Sequence, residues 1–315
     1  MKPNLRQNSI KAAKGVAGRA VLFSVLCLMA SVSAHADSVI LQPSADTSLF
    51  EAFPNNNLGA NENMVAGANG SLLRGRAVFR FDIAGSIPSN AIIQSVSLTL
   101  TVVIVPSDGG QASTFDLRRL LVDWVEGAGT NNAGTAANPG EATWNARFYP
   151  SSLWTVPGGS ISNDFSEAVG ASLLLPDVGT YTFNSTSNLV SDVQKWLQNP
   201  ATNFGWILMS ESEDVAFTIR RIGTRESITN APLLNLDFTL PTAPTLQIIK
   251  TSGSEIQLSF LASAGQLYSV QFRDSLDAGN WLTITNLPPQ STTTNVVVID
   301  PFATNACRFY RIAVF

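Results

Sequence analysis

The sequence predicts an all-β protein: a jelly-roll β-sandwich carrying one short helix, followed by a smaller β-sandwich. Three observations predict it. In 95-SVSLTLTV-102, Val96, Leu98, Leu100 and Val102 alternate with Ser95, Ser97, Thr99 and Thr101, the pattern of a strand with one buried face. Comparable short runs recur along the chain, separated by loops rich in Gly, Asn, Pro and Ser, as two-sheet folds require. A single segment, 186-TSNLVSDVQKWLQNP-200, carries a helical stripe instead.

The chain opens on a segment that does not belong to this pattern. Lys2, Arg6, Lys11, Lys14 and Arg19 precede the apolar run 20-AVLFSVLCLMASV-32, and Ala34-His35-Ala36 follows. This is the layout of a secretory signal peptide over 1–36, with Asp37 as the expected mature start. The run is shorter than the roughly 20 residues a membrane span needs. A secreted protein, extracellular or at the cell surface, is expected, with no membrane insertion.

Removing the leader removes the sole histidine, His35, and one of two cysteines, Cys27. What remains has no histidine and no internal disulfide. That argues against serine–histidine and cysteine–histidine catalysis and against His-ligated metals. It also leaves 14 basic against 23 acidic side chains. An acidic exported chain without a basic run is a poor match for nucleic acid.

Two prolines and three threonines in 239-TLPTAPT-245 mark a boundary. The first domain is expected over 37–240, the linker over 241–245 and the second domain over 246–315. In the first, strands are expected at 38-SVILQP-43, 115-FDLRRLLVDW-124, 180-TYTFN-184, 205-GWILMS-210, 216-AFTIRRI-222 and 233-LLNLDF-238. In 74-RGRAVFRFDI-83, Ala77, Phe79, Phe81 and Ile83 fall on one parity, with Arg76, Arg80 and Asp82 on the other. Successive strand residues face opposite ways, so the aromatics are expected in the core and the charges outside it. In the helix, Leu189, Val193, Trp196 and Leu197 form the apolar stripe; Thr186 or Ser187 caps the start and Asn199-Pro200 the end. Trp196 is therefore a core residue, and so is Trp124, which alternates with Leu120 and Val122. The second domain reads as six strands in 246–315, the spacing of a small fibronectin-III- or immunoglobulin-like sandwich. Cys307, beside its last strand, is expected as a small buried hydrophobe.

Candidate ligand residues follow from side-chain chemistry. Nine of ten bases in 37–240 are arginine, whose planar fork matches carboxylates. Arg220, Arg225 and Arg80 are candidates for an acidic ligand, with pairing to neighbouring acids as the structural alternative. Flat aromatics stack against sugar C–H faces. Trp154, in 150-PSSLWTVPGG-159, has no periodic partner and is a candidate exposed platform, with Trp144 and Arg147 beside it. No carboxylate pair is singled out for a glycosidase.

Landmarks in fixed order carry a resemblance: 45-ADTSLFEAFPNNNLGANENMVAG-67, 76-RAVFRFDIAGSIPSNAIIQSVSLTL-100, 123-DWVEG-127, 143-TWNARF-148, 181-YTFNSTSNLVSDVQKWLQNPATNFGWILMS-210, 223-GTRES-227 and 231-APLLNLDF-238. This set resembles the DNRLRE-domain family of secreted bacterial proteins, which overlaps a family of carbohydrate-binding modules. The chain departs from it in a longer insert between Glu126 and Thr143. The resemblance implies a jelly roll and a non-catalytic polysaccharide-binding role, with acidic glycans such as alginate among the ligands. Jelly-roll modules of this kind also suggest a structural calcium, for which Asp46 and Asp237, with Glu51 and Asn55, offer oxygens. The alternatives are a cell-surface or matrix protein with extracellular protein partners, and a polysaccharide lyase or hydrolase.

Overall fold

The computed structural model describes residues 36–315 apart from 252–254, 278, 302 and 304–306. The expected leader, except Ala36, lies outside the described residues. Among the described residues the fold is all-β with one α-helix, Ser187–Gln198.

The alternating run lies in the strand Ile92–Ile104, and Val96, Leu98, Leu100 and Val102 are all fully buried. Each such side chain contributes roughly 1.5–3 kcal/mol of burial. This strand organises one arm of the sandwich. Leu233–Thr239 and Gly179–Phe183 pair with it, Ala36–Leu41 pairs with Leu233–Thr239, and Arg220–Gly223 joins it to Asn63–Ala68. The far end of Asn63–Ala68 pairs with Arg74–Arg80, which begins the second arm. Trp206–Ser210, Ser113–Leu120 and Phe165–Leu175 follow, with Ala45–Phe50 also on Arg74–Arg80. The eleven strands thus make one curled antiparallel sheet. Its two arms bury a shared core that takes Leu98 and Leu236 from one and Phe79, Phe115 and Leu208 from the other.

The helix closes that core. The Thr186 hydroxyl accepts from the Leu189 N–H at 3.1 Å, and Leu189, Val193, Trp196 and Leu197 are buried as the stripe predicts. Trp196 meets Trp206 edge to face at 4.6 Å. The Trp206 indole N–H donates to Asp192 at 3.1 Å, and Arg119 pairs with the same carboxylate at 2.9 Å.

The strand Arg74–Arg80 departs from expectation on one face. Phe79, Phe81 and Ile83 enter the main core, but Val78 is fully buried too and Arg76 is 7% exposed. The second face is covered by a second core in which Val78 and Ile207 meet Trp124, Trp144, Trp154 and Phe165. Irregular segments between residues 121 and 164 supply much of that cover. Parity separated the two faces correctly, yet both are interior.

Residues 241–246 carry no regular structure. Beyond them, Gln247–Lys250, Ile256–Ala262 and Thr294–Asp300 form one sheet, and Leu282–Leu287, Tyr268–Arg273 and Phe309–Val314 another. Leu258, Phe260, Tyr268, Val270 and Val298 fill the space between them. Cys307 is exposed, contrary to its expected burial; it stands outside the strand that begins at Phe309, where no alternation directs it inward.

Candidate functional site

The arginines decide most of the question, because the structure accounts for nearly all of them. Arg220 is fully buried. Its Nε donates to the Leu175 carbonyl at 2.8 Å, Nη1 to Thr218 and Ile219 at 3.0 Å each, and Nη2 to Gln111 at 2.7 Å and Pro176 at 3.2 Å. Burial lowers its pKa, but no proton can leave without stranding these acceptors. It is a structural clamp, and the expectation that it meets a ligand is corrected: strand parity turns Arg220 inward beside Thr218 and Ile222, both fully buried.

Arg225 lies at the surface and is also engaged. It forms a two-pronged pair with Glu126, Nε to Oε1 at 2.7 Å and Nη2 to Oε2 at 2.8 Å, and reaches Glu226 at 3.0 Å. Its backbone N–H donates to Asp46 Oδ2 at 2.8 Å, while the Asp46 N–H donates to Glu126 Oε1 at 2.7 Å. Three segments distant in sequence are clasped here. Asp46, Glu126 and Glu226 place carboxylate oxygens within 4.8 Å of one another. Burial, with Glu226 and Glu126 adding to it, pushes the Asp46 carboxyl up to about 8.

Arg80 pairs with Asp123 at 3.2 Å and lies over Trp124 at 5.4 Å. It does not pair with Asp82, whose carboxylate instead accepts from the Gly85 N–H at 3.0 Å. Arg76 is held by Glu213 at 2.6 Å and by the Gly158 and Gly159 carbonyls. Arg74 pairs with Glu51, and Arg118 with Asp116.

The calcium expectation also changes. Asp237 is not among the converging acids; it accepts from Ser95 in the sheet instead. Within the cluster, Asp46 Oδ1 and Glu226 Oε2 are the buried oxygens without partners. Calcium takes roughly six to eight oxygens, and Arg225 already supplies a positive charge among these acids.

Neither Trp144 nor Trp154 is a platform. Trp144 is 2% exposed, with Arg74 and Arg76 at 5.1 and 5.6 Å from its ring. Trp154 is 3% exposed, and its indole N–H donates to the Thr143 carbonyl at 2.9 Å. The absence of periodicity marked a loop, but this loop is itself part of the core. Arg147 is half-buried, lies over Phe148 at 5.1 Å and reaches the Asp123 carbonyl only at 3.5 Å.

A groove of about 400 Å³ does open in this region, above Trp154. Tyr149 and Leu153 border it, with Asn55 and Asn145, and no charged side chain lines it. Asn145 Nδ2 donates to Asn55 Oδ1 at 2.9 Å, a head-to-tail amide pair in the groove's lining. Asn55 comes from the Asn-rich loop after Ala45–Phe50, and Asn145 from the turn closed by Thr143, whose Oγ1 accepts from the Ala146 N–H at 3.0 Å. Asn57 anchors the same region: its Oδ1 accepts from the N–H groups of Gly59 and Gly129, and its Nδ2 donates to the Ala142 carbonyl. Only glycine fits at 129, since a Cβ there would fall 1.8 Å from the Asn57 carbonyl oxygen. Sequence reasoning missed Asn145 altogether and gave Asn55 only a metal-ligand reading. Nothing in residue spacing links two positions 90 residues apart.

No protein-family model matches the chain, and no curated protein matches it.

Proposed function

We propose that this chain is a secreted, non-catalytic polysaccharide-binding protein of DNRLRE-domain type, and that the groove bordered by Tyr149 is where it meets sugar. The observation that carries this reading is the pairing of chemistries in that groove. The Tyr149 ring, with Leu153 beside it, offers an apolar face to sugar C–H groups, and the Asn145–Asn55 pair offers donors and an acceptor to hydroxyls. The uncharged lining favours a neutral sugar segment over an acidic one. Arg220, Arg225 and Arg80 are engaged within the protein and lend no support to acidic-glycan contact.

The non-catalytic part rests on the same geometry. Glycoside hydrolysis needs two carboxylates flanking one bond, and this groove has none. The converging acids, Asp46, Glu126 and Glu226, are closed by Arg225. Of the two tyrosines a lyase could use as base alongside an arginine, Tyr149 borders this groove, which no arginine lines, and Tyr181 donates its hydroxyl to the Asp177 carbonyl at 2.8 Å.

A second reading, attachment to extracellular protein partners, is favoured by one surface. On the outer face of the sheet containing Ile256–Ala262, Ile249, Leu261, Val297 and Ile299 are each more than half exposed, an apolar concentration that monomeric surfaces tend to avoid. Among the described residues, no helix is long and apolar enough to cross a membrane.

Affinity electrophoresis of residues 37–315 through neutral and acidic polysaccharides tests the proposal. Retardation by at least one neutral polymer, without product release, is expected. Unretarded migration on every polymer would sink it, and product release would replace it with the enzyme reading.

A further inference from the structure

The arginine next to Arg220 behaves differently from the others. Arg221 pairs across the sheet with Val65 and Ile104, so its side chain lies on the outer face, opposite Arg220. Among the described residues it has no carboxylate partner. Its Nη2 reaches the Asn132 carbonyl at 3.5 Å, and its Nη1 is buried without a hydrogen-bond partner. Burial alone pulls its pKa down, with no neighbouring acid raising it. A partly desolvated, uncompensated guanidinium is costly to maintain.

Arg221 lines a groove of about 350 Å³ whose apolar walls are Phe50, Ile104, Val105, Pro106, Phe217 and Ile219, together with Asn69 and Gly70. Phe217 holds its place at a conformational cost. Its backbone lies at φ 64°, a left-handed setting that bulky residues seldom adopt. The Gln111 N–H donates to its carbonyl at 3.0 Å, and its own N–H reaches the Asn69 carbonyl at 3.4 Å. The ring covers Gly70, where a Cβ would come within 2.7 Å of it. Phe217 nevertheless remains 38% exposed, and Ile104 50%.

We infer that this groove binds an organic carboxylate with an apolar body, the carboxylate taken by Arg221 and the body by Phe50, Ile104 and Phe217. The charge complementarity selects an anion, because Arg221 is the member of this wall whose charge lacks a counterpart. The walls select the body. A hydroxyl-rich sugar acid would set most of its hydroxyls against isoleucine, valine and phenylalanine; Asn69 is the one uncharged polar side chain in the wall, and its Oδ1 already accepts from the Ser71 and Leu73 N–H groups. An alkyl or aryl chain brings no such hydroxyls. The site is distinct from the Tyr149 groove and does not depend on the polysaccharide reading.

Isothermal titration of the mature chain with octanoate, 1-octanol and a free uronic acid tests this. Octanoate is expected to bind, octanol to bind more weakly, and the uronic acid to give no Arg221-dependent heat. Arg221→Gln should weaken octanoate roughly tenfold to hundredfold, the scale of a charge-assisted pair, with octanol unchanged and Arg221→Lys intermediate. Phe217→Gly, which relieves the left-handed strain, should weaken both octanoate and octanol without lowering the melting temperature. Equal affinity for octanoate and octanol, indifference of octanoate to Arg221→Gln, or stronger Arg221-dependent binding of the uronic acid would each overturn the inference. So would absence of octanoate binding.

Discussion

Arg220 and Arg221 are adjacent arginines with opposite surroundings, and replacing each in turn gives a quantitative test of the fold's electrostatics. In Arg220→Met the apolar stem is retained and the guanidinium is lost. Five carbonyl oxygens, those of Leu175, Thr218, Ile219, Gln111 and Pro176, then lose a donor inside the protein. Each buried acceptor left unpaired costs roughly 1–3 kcal/mol. Some of these carbonyls retain a ladder partner, so the sum is capped at about 4 kcal/mol, in line with breaking other buried charged networks. For a domain of this size each kcal/mol lowers the melting temperature by roughly 2–4 °C, so a drop of about 8–16 °C is expected. Arg221→Gln removes a partly desolvated charge that has no internal acid partner, so no loss of stability is expected, and a small gain is the expected direction. Thermal unfolding followed by circular dichroism, with urea denaturation alongside, measures both. A drop below about 2 °C for Arg220→Met, or equal drops for the two variants, would refute the reasoning.

Asp46 makes stability depend on pH in an unusual direction. Its folded carboxyl lies near 8, above an ordinary value of about 3.9, so the folded state binds the proton more tightly. Its contribution is therefore full below about pH 4 and is lost as pH rises through 8. Asp46→Asn keeps an acceptor for the Arg225 N–H and should melt higher than the parent at pH 9, a ranking that melts at pH 5 and pH 9 will check. Arg225→Ala frees Glu126 and Glu226 and should lower the melting temperature, while changing sugar affinity less than about twofold at a temperature where the variant is folded; a large loss of binding there would restore its ligand role. Thr186→Ala removes the helix cap and should cost about 1 kcal/mol in urea unfolding.

What the sequence disclosed tracks where periodicity exists. The period of two placed Val96, Leu98, Leu100 and Val102 in the core, and the helical stripe placed Leu189, Val193, Trp196 and Leu197 there. In 218-TIRRIG-223 the same logic is blind. Ile219 and Ile222 have opposite parity, so either arginine could face inward; the structure chooses Thr218, Arg220 and Ile222. The choice is fixed by carbonyls at 111, 175 and 176, which only the folded chain brings near. Trp154 shows a second limit. It lies in an irregular segment, and such a segment reveals nothing of its burial until the second core that it covers is known. The clasp of Asp46, Glu126 and Arg225–Glu226 joins positions 80 and 179 residues apart, beyond any motif spacing. The Asn145–Asn55 pair is hidden for the same reason.

Substitution within the uncharged groove beside Tyr149 measures most directly whether it holds sugar. On a neutral polysaccharide that retards the parent, affinity electrophoresis of Tyr149→Ala and Asn145→Ala should show binding weakened roughly threefold to tenfold, the worth of one aromatic face or one hydrogen-bonded amide, with melting temperatures unchanged. Retardation of both variants equal to that of the parent would contradict the account.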